Sequence, residues 1–121
     1  MAKGISNTSR TLKYLKEEGH ICDVVERWVR NPAMPAGGFR RDFLNIIDII
    51  SLHDKTIFGV QSCGQAFAEH DRKILGADAS VKWLECGGQL VLIAWRKVKL
   101  KRGGKATRWS PRIKNYTLKD F

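Results

Sequence analysis

Residues 40–63 read RRDFLNIIDIISLHDKTIFGVQSC, and how this stretch folds decides the architecture. Two runs rich in β-branched residues flank the turn-forming triplet His53-Asp54-Lys55, which predicts a hairpin with strands over 42–52 and 56–63. Asp48 lies within the apolar run Ile46-Ile47-Asp48-Ile49-Ile50. A carboxylate there is costly to desolvate unless a partner offsets its charge. A metal ion or a bound polar substrate can do so, and so can an arginine or a set of backbone donors. The hairpin brings Asp48 close to Gln61. Residues two apart on a strand share a face, so Gln61 and Cys63 point the same way.

On the N-terminal side, Ser6-Asn7-Thr8-Ser9 offers helix caps ahead of Leu12 and Leu15. This predicts a helix over 8–18 closed by Gly19. Residues 21–29 alternate as a first strand, and Pro32, Pro35 and two glycines make 30–38 a loop. Beyond the hairpin, Phe67, Ile74 and Leu75 sit at helical spacing in a second helix over 65–75. Asp78 opens a short third helix that Gly87-Gly88 ends. The strand over 89–101 is apolar on both faces through 90–95, as expected of a strand covered on each side. Gly103-Gly104 then turns the chain back toward Trp109, Ile113 and Tyr116. The expected order is α-β-β-β-α-α-β-β, a mixed α/β (α+β) fold. It reads as one domain over 1–121, with a core over about 8–96 and a basic β-ribbon and tail over about 97–121.

Charge points to a polyanion. The 121 residues carry 22 Lys and Arg against 12 Asp and Glu, a formal +10, and most of the excess lies beyond residue 60. Three cysteines, Cys22, Cys63 and Cys86, have no paired or zinc-like spacing, which fits a reducing compartment. The segment 1–6 lacks a signal-like apolar stretch, and the apolar run 90–95 is too short to span a bilayer. A cytoplasmic protein without a membrane partner is expected.

The order of elements, with Asp48 on the second strand and Gln61 on the third, resembles the PD-(D/E)XK nuclease superfamily. Within it the chain looks most like small phage and prokaryotic relatives of Holliday junction resolvases and VRR-NUC domains, over residues 8 to about 96. The resemblance implies a restriction-endonuclease-like αβββαβ core and hydrolysis of DNA phosphodiesters with Mg2+ or Mn2+. Branched or junction DNA and a homodimer are implied as well. In that pattern an acid ends the second strand, and an acid-x-Lys triplet lies on the third. Asp48 matches the first acid, Gln61 takes the second acid's place, and Cys63 falls where the lysine belongs. The superfamily's first helix often adds an acid, a role open to Glu17 or Glu18. Lys73 and Arg41 are the candidates to replace the lysine. The implied metal ligands are Asp48 and Gln61, with Glu18 and Lys73 completing the catalytic set. Magnesium favours such oxygen donors.

Over 95–114 there are nine cations and no acid. Arg96, Lys97, Lys99, Lys101, Arg102, Lys105 and Arg108 form the tract expected to lie along phosphates, and Arg40 and Arg41 extend it. Trp95 and Trp109 can stack on unpaired bases or pack into the core. A solvated edge strand guarded by lysines is the plainer reading of the charge. The alternative to an enzyme is a catalytically inactive nucleic-acid-binding protein on the same fold, a reading that Cys63 in the lysine position favours.

Overall fold

The hydroxyl of Ser6 accepts a hydrogen bond from the Ser9 amide at 3.1 Å and starts α1 (Asn7–Glu17). In αL at φ +93°, Gly19 follows the last turn and redirects the chain. This computed structural model describes residues 5–121; residues 1–4, part of the N-terminal segment discussed above, lie outside the described residues. The next elements are β1 (Ile21–Val24), β2 (Arg27–Arg30), β3 (Gly38–Arg41), β4 (Ile49–His53) and β5 (Thr56–Cys63). They are followed by α2 (Phe67–Leu75), α3 (Asp78–Glu85), β6 (Gln89–Lys99), β7 (Thr107–Tyr116) and a 3-10 turn (Leu118–Asp120).

Five strands form one mixed sheet in the order β1-β4-β5-β6-β7. Only β5 and β6 run parallel, joined by the crossover through α2 and α3. The remaining pairs are antiparallel. The β4–β5 connection falls where expected but is tighter than the triplet 53–55: His53 pairs with Thr56, and Asp54 and Lys55, at φ +49° and +62°, form a two-residue turn of the primed geometry that suits hairpin twist. A separate pair, β2 with β3, stands outside the main sheet.

Two predicted strands are corrected. The strand over 21–29 breaks at Val25-Glu26, and its second half leaves the sheet as β2. The strand over 42–52 begins only at Ile49, so Asp48 sits in a bend just before β4 rather than in mid-strand. The reason is local. Leu44 and Asn45 adopt φ +55° and +63°, and Phe43 and Ile47 exchange backbone hydrogen bonds across the loop they close.

Both faces of the sheet are covered. Leu15 of α1 packs with Ile49, Val60, Val91, Ile93 and Trp95 on one face. On the other face Ile74 of α2 packs with Ile46, Ile47, Cys63, Leu90, Leu92, Ala94 and Tyr116. Burying each large aliphatic chain is worth about 1.5–3 kcal/mol relative to exposure. At Gly59 a Cβ would come within 2.5 Å of Ile47 Cδ1, so only glycine lets Ile47 cross β5 and seat the bend that carries Asp48. Among the described residues, no helix is long and apolar enough to cross a membrane.

Candidate metal centre and cationic ribbon

The bend before β4 places Asp48 against the start of the sheet. Its amide donates to Val60 O at 2.9 Å, and its carbonyl accepts from the Val25 amide at 2.8 Å. Asp48 therefore continues the ladder one residue past Ile49, beside Gln61 on β5. One carboxylate oxygen, Oδ2, accepts from Gln61 Nε2 at 2.7 Å and from the Ser62 amide at 2.8 Å. The expected meeting of Asp48 and Gln61 is present, on the α2 side of the sheet. Both are nearly enclosed, at 4% and 2% exposure, so solvent must reach the pair through its neighbours.

Those neighbours are two acids that sequence reasoning missed. Glu26 and Asp42 bring carboxylate oxygens within 4.8 Å of one another and of Asp48. The pairing of Arg27 with Arg41 puts Glu26 and Asp42 opposite each other at the base of the β2–β3 hairpin. Both are partly exposed and open the cluster to water. A cavity of about 380 Å³ lined by Val25, Arg27, Arg41, Asp42, Phe43 and Leu44 adjoins Asp42.

Asp48 and Asp42 share a proton unequally. Burial and a hydrogen bond with Asp42 push the Asp48 carboxyl up to about 8, against the pull of the Ser62 amide. Burial also acts to raise Asp42, but hydrogen bonds from Asp48 and Lys73 and the charge of Lys73 carry it below the usual carboxylate range. Asp48 holds the proton and Asp42 the charge. Lys73 Nζ donates to Asp42 Oδ2 at 2.8 Å from α2, whose adjacent Ile74 is fully buried and fixes the helix. The candidate lysine thus reaches the cluster from the helix after β5.

Gln61 borders the set. Among the described residues, its Oε1 is the one buried side-chain polar atom without a hydrogen-bond partner. An orphaned buried acceptor costs about 1–3 kcal/mol. Toward the cluster Gln61 turns Nε2, so the converging donors are the three carboxylates, hard oxygen ligands of the kind that Mg2+ and Mn2+ take. The donor set fits such an ion.

Other expected site residues lie elsewhere. Glu18 caps the C-terminal end of α1 and lines a cavity with Leu15, Val60 and Ile93, on the face of the sheet turned away from Gln61. It is not brought to Asp48, because α1 packs on the opposite side. Cys63 is 5% exposed, and burial followed by the nearby Asp48 pushes its thiol up to about 11, as suits a small core residue. Arg40 pairs with Glu26 at 3.4 Å, and Arg41 donates to Asn45 Oδ1 at 3.2 Å, so both cations flank the cluster.

The ribbon is longer than expected. β6 and β7 pair from Leu90↔Tyr116 to Lys99↔Thr107, and the tip over 100–106 carries Lys101, Arg102 and Lys105. All seven cations of the tract, from Arg96 to Arg108, are exposed. Alternation along β6 sends Arg96 and its diagonal neighbour Arg108 to the α2 side, with the carboxylates, and Lys97 and Lys99 to the α1 side. Trp95 packs inward, its Nε1 donating to Thr11 Oγ1 at 2.8 Å. Trp109 stays 43% exposed.

No family model, curated protein or solved structure matches this chain.

Proposed function

We propose that the chain is a divalent-cation-dependent nuclease with a restriction-endonuclease-like core, acting on DNA held by the β6–β7 ribbon. The observation that carries this reading is the convergence of three carboxylates, Glu26, Asp42 and Asp48, at one point beside the buried Gln61. Three antiparallel strands, a helical crossover and a parallel β6 support the core assignment, since they follow the αβββαβ order once β2 and β3 are set aside. Glu26, Asp42 and Asp48 would hold Mg2+ or Mn2+. When bound, such an ion supplies positive charge at the phosphate and lowers the pKa of an attacking water. Asp48 gives up its proton to become a ligand, Gln61 Nε2 and the Ser62 amide orient its carboxylate, and Lys73 offers a cation to the reacting phosphate. Arg96 and Arg108 extend that positive surface along the strand.

The test is cleavage of linear, single-stranded and branched DNA with Mg2+ or Mn2+. Cutting should vanish with chelator and fall by about 10²-fold or more in Asp48→Asn, the scale of losing a principal stabilising group, while DNA binding changes less than twofold. Metal that alters neither cleavage nor thermal stability refutes the reading.

A second reading, a DNA-binding protein without catalysis, is favoured by one observation. Cys63 holds the third-strand position where the resemblance expects lysine, and it is buried. It predicts salt-sensitive DNA binding that divalent metal does not change.

A further inference from the structure

We propose that the cleft around Trp109, on the face of the ribbon turned away from the carboxylates, binds an unpaired nucleotide strand. The substrate would then be a duplex with a single-stranded arm. This rests on the reading of the ribbon as a nucleic-acid surface and names the class of substrate it takes.

Two indoles line this cleft, and the fold uses only one. Trp95 is 6% exposed and hydrogen-bonded to Thr11, whereas Trp109 is 43% exposed. Cations hold Trp109 in place: the Arg10 guanidinium carbon lies 3.8 Å from its ring centroid, and Lys97, its cross-strand partner, has Nζ at 5.3 Å. A base can lie on the free indole surface or extend the stack on the planar guanidinium, while Lys97 and Lys13 meet flanking phosphates. Bases inside a duplex already stack on each other and offer no face, so the site selects unpaired nucleotides.

The cavities trace a path. One of about 760 Å³ is lined by Arg10, Lys13, Glu17, Trp95, Lys97 and Trp109. A second, of about 570 Å³, shares Trp95, Lys97 and Trp109 and adds Gly64 and Arg96. A third contains Gly64, Arg96 and Arg112 and reaches Phe67 on α2. Together they run from Trp109 around the C-terminal end of β5 to the α2 side, where Asp48 and Gln61 lie. An arm leaving a duplex near the carboxylates would have a cationic route to the indole.

The experiment measures fluorescence anisotropy of a labelled single strand, a blunt duplex and the same duplex with a single-stranded arm, all in chelator. DNA and RNA versions report which strand chemistry is preferred. Trp109→Ala should weaken single-strand and armed-duplex binding by about tenfold and blunt-duplex binding by less than twofold, with Trp109→Phe restoring most of the loss. Intrinsic fluorescence gives a second readout that does not depend on the alanine variant folding. Single strand should quench wild type more than Trp109→Phe. Equal losses on all ligands, no loss on any, or equal quenching in wild type and Trp109→Phe overturns the proposal. With chelator present, failure of metal-dependent cleavage leaves these outcomes untouched, so the two readings fail separately.

Discussion

The carboxylate cluster and the ribbon both concentrate like charge, in opposite settings. At the cluster, Asp48 and Gln61 are nearly enclosed, and Glu26 and Asp42 crowd the same few ångströms. Along the ribbon, the cations from Arg96 to Arg108 stand in water, and among the described residues none has an acidic partner. Two unit charges 4 Å apart interact by roughly 4 kcal/mol near a protein surface but only about 1 kcal/mol in water. The cluster therefore behaves as one coupled unit in which a single group matters greatly. The ribbon behaves as a sum of small, salt-screened terms. One region concentrates its charge at a point, the other spreads it along a line.

The coupling makes pH the sharpest probe of the cluster after Asp48→Asn itself. Asp48 keeps its proton up to about 8 in the fold and loses it near 4 when unfolded, so between those values the folded state binds more protons. Stability without metal should fall as pH rises through that window, and Asp48→Asn should remove the fall and melt several degrees higher at pH 9. Metal must displace the same proton. Its affinity should rise about tenfold per pH unit below 8, or roughly 100-fold from pH 6 to 8, and level off above. Calorimetric titration of Mn2+ at several pH values measures this. A flat profile would mean that Asp48 is no ligand.

Lys73 gives the next smaller effect, because its neighbours are less enclosed. Its side chain is 41% exposed, and its ion pair with Asp42 stabilises the fold by no more than about 1 kcal/mol. Lys73→Met should leave melting nearly unchanged and lower cleavage by about tenfold to 100-fold, with metal affinity held or slightly raised. Unchanged cleavage would return Lys73 to a purely structural part.

Much of the ribbon was legible in the sequence, and half of the cluster was. The nine cations without an acid and the glycine pair describe an exposed hairpin end, and the two-sided apolar run describes the covered half of β6; the structure contains both. Asp48 and Gln61 were legible as neighbours across the hairpin, and the two-residue turn sets the register that makes them direct partners. Glu26 and Asp42 were not. Read as one strand, 42–52 would hold Asp42 about 20 Å from Asp48, and only the loop at Leu44-Asn45 brings it back. Asn45 is a common αL residue but leucine is not, so composition gave little warning of that turn. Glu26 was hidden the same way, inside a strand that breaks at Val25. Glu18 was misplaced because helix position fixes which face of the sheet a residue meets, and spacing along the chain does not.

The smallest effects belong to the ribbon, and their smallness is the point. Each cation that meets a phosphate releases about one counterion, so losing one should weaken binding by about twofold to fivefold at physiological salt and flatten the salt slope by roughly one unit. Lys99→Gln on the α1 side and Arg108→Gln on the α2 side should each do this, and the double variant should show the product of the two effects. Affinity measured against salt for the four proteins separates additive from coupled behaviour. Neither single change should alter the pH dependence of metal binding, because both side chains lie in solvent beyond Trp95. A ribbon substitution that cost 100-fold, or one that shifted the metal profile, would show the two regions acting as a single site.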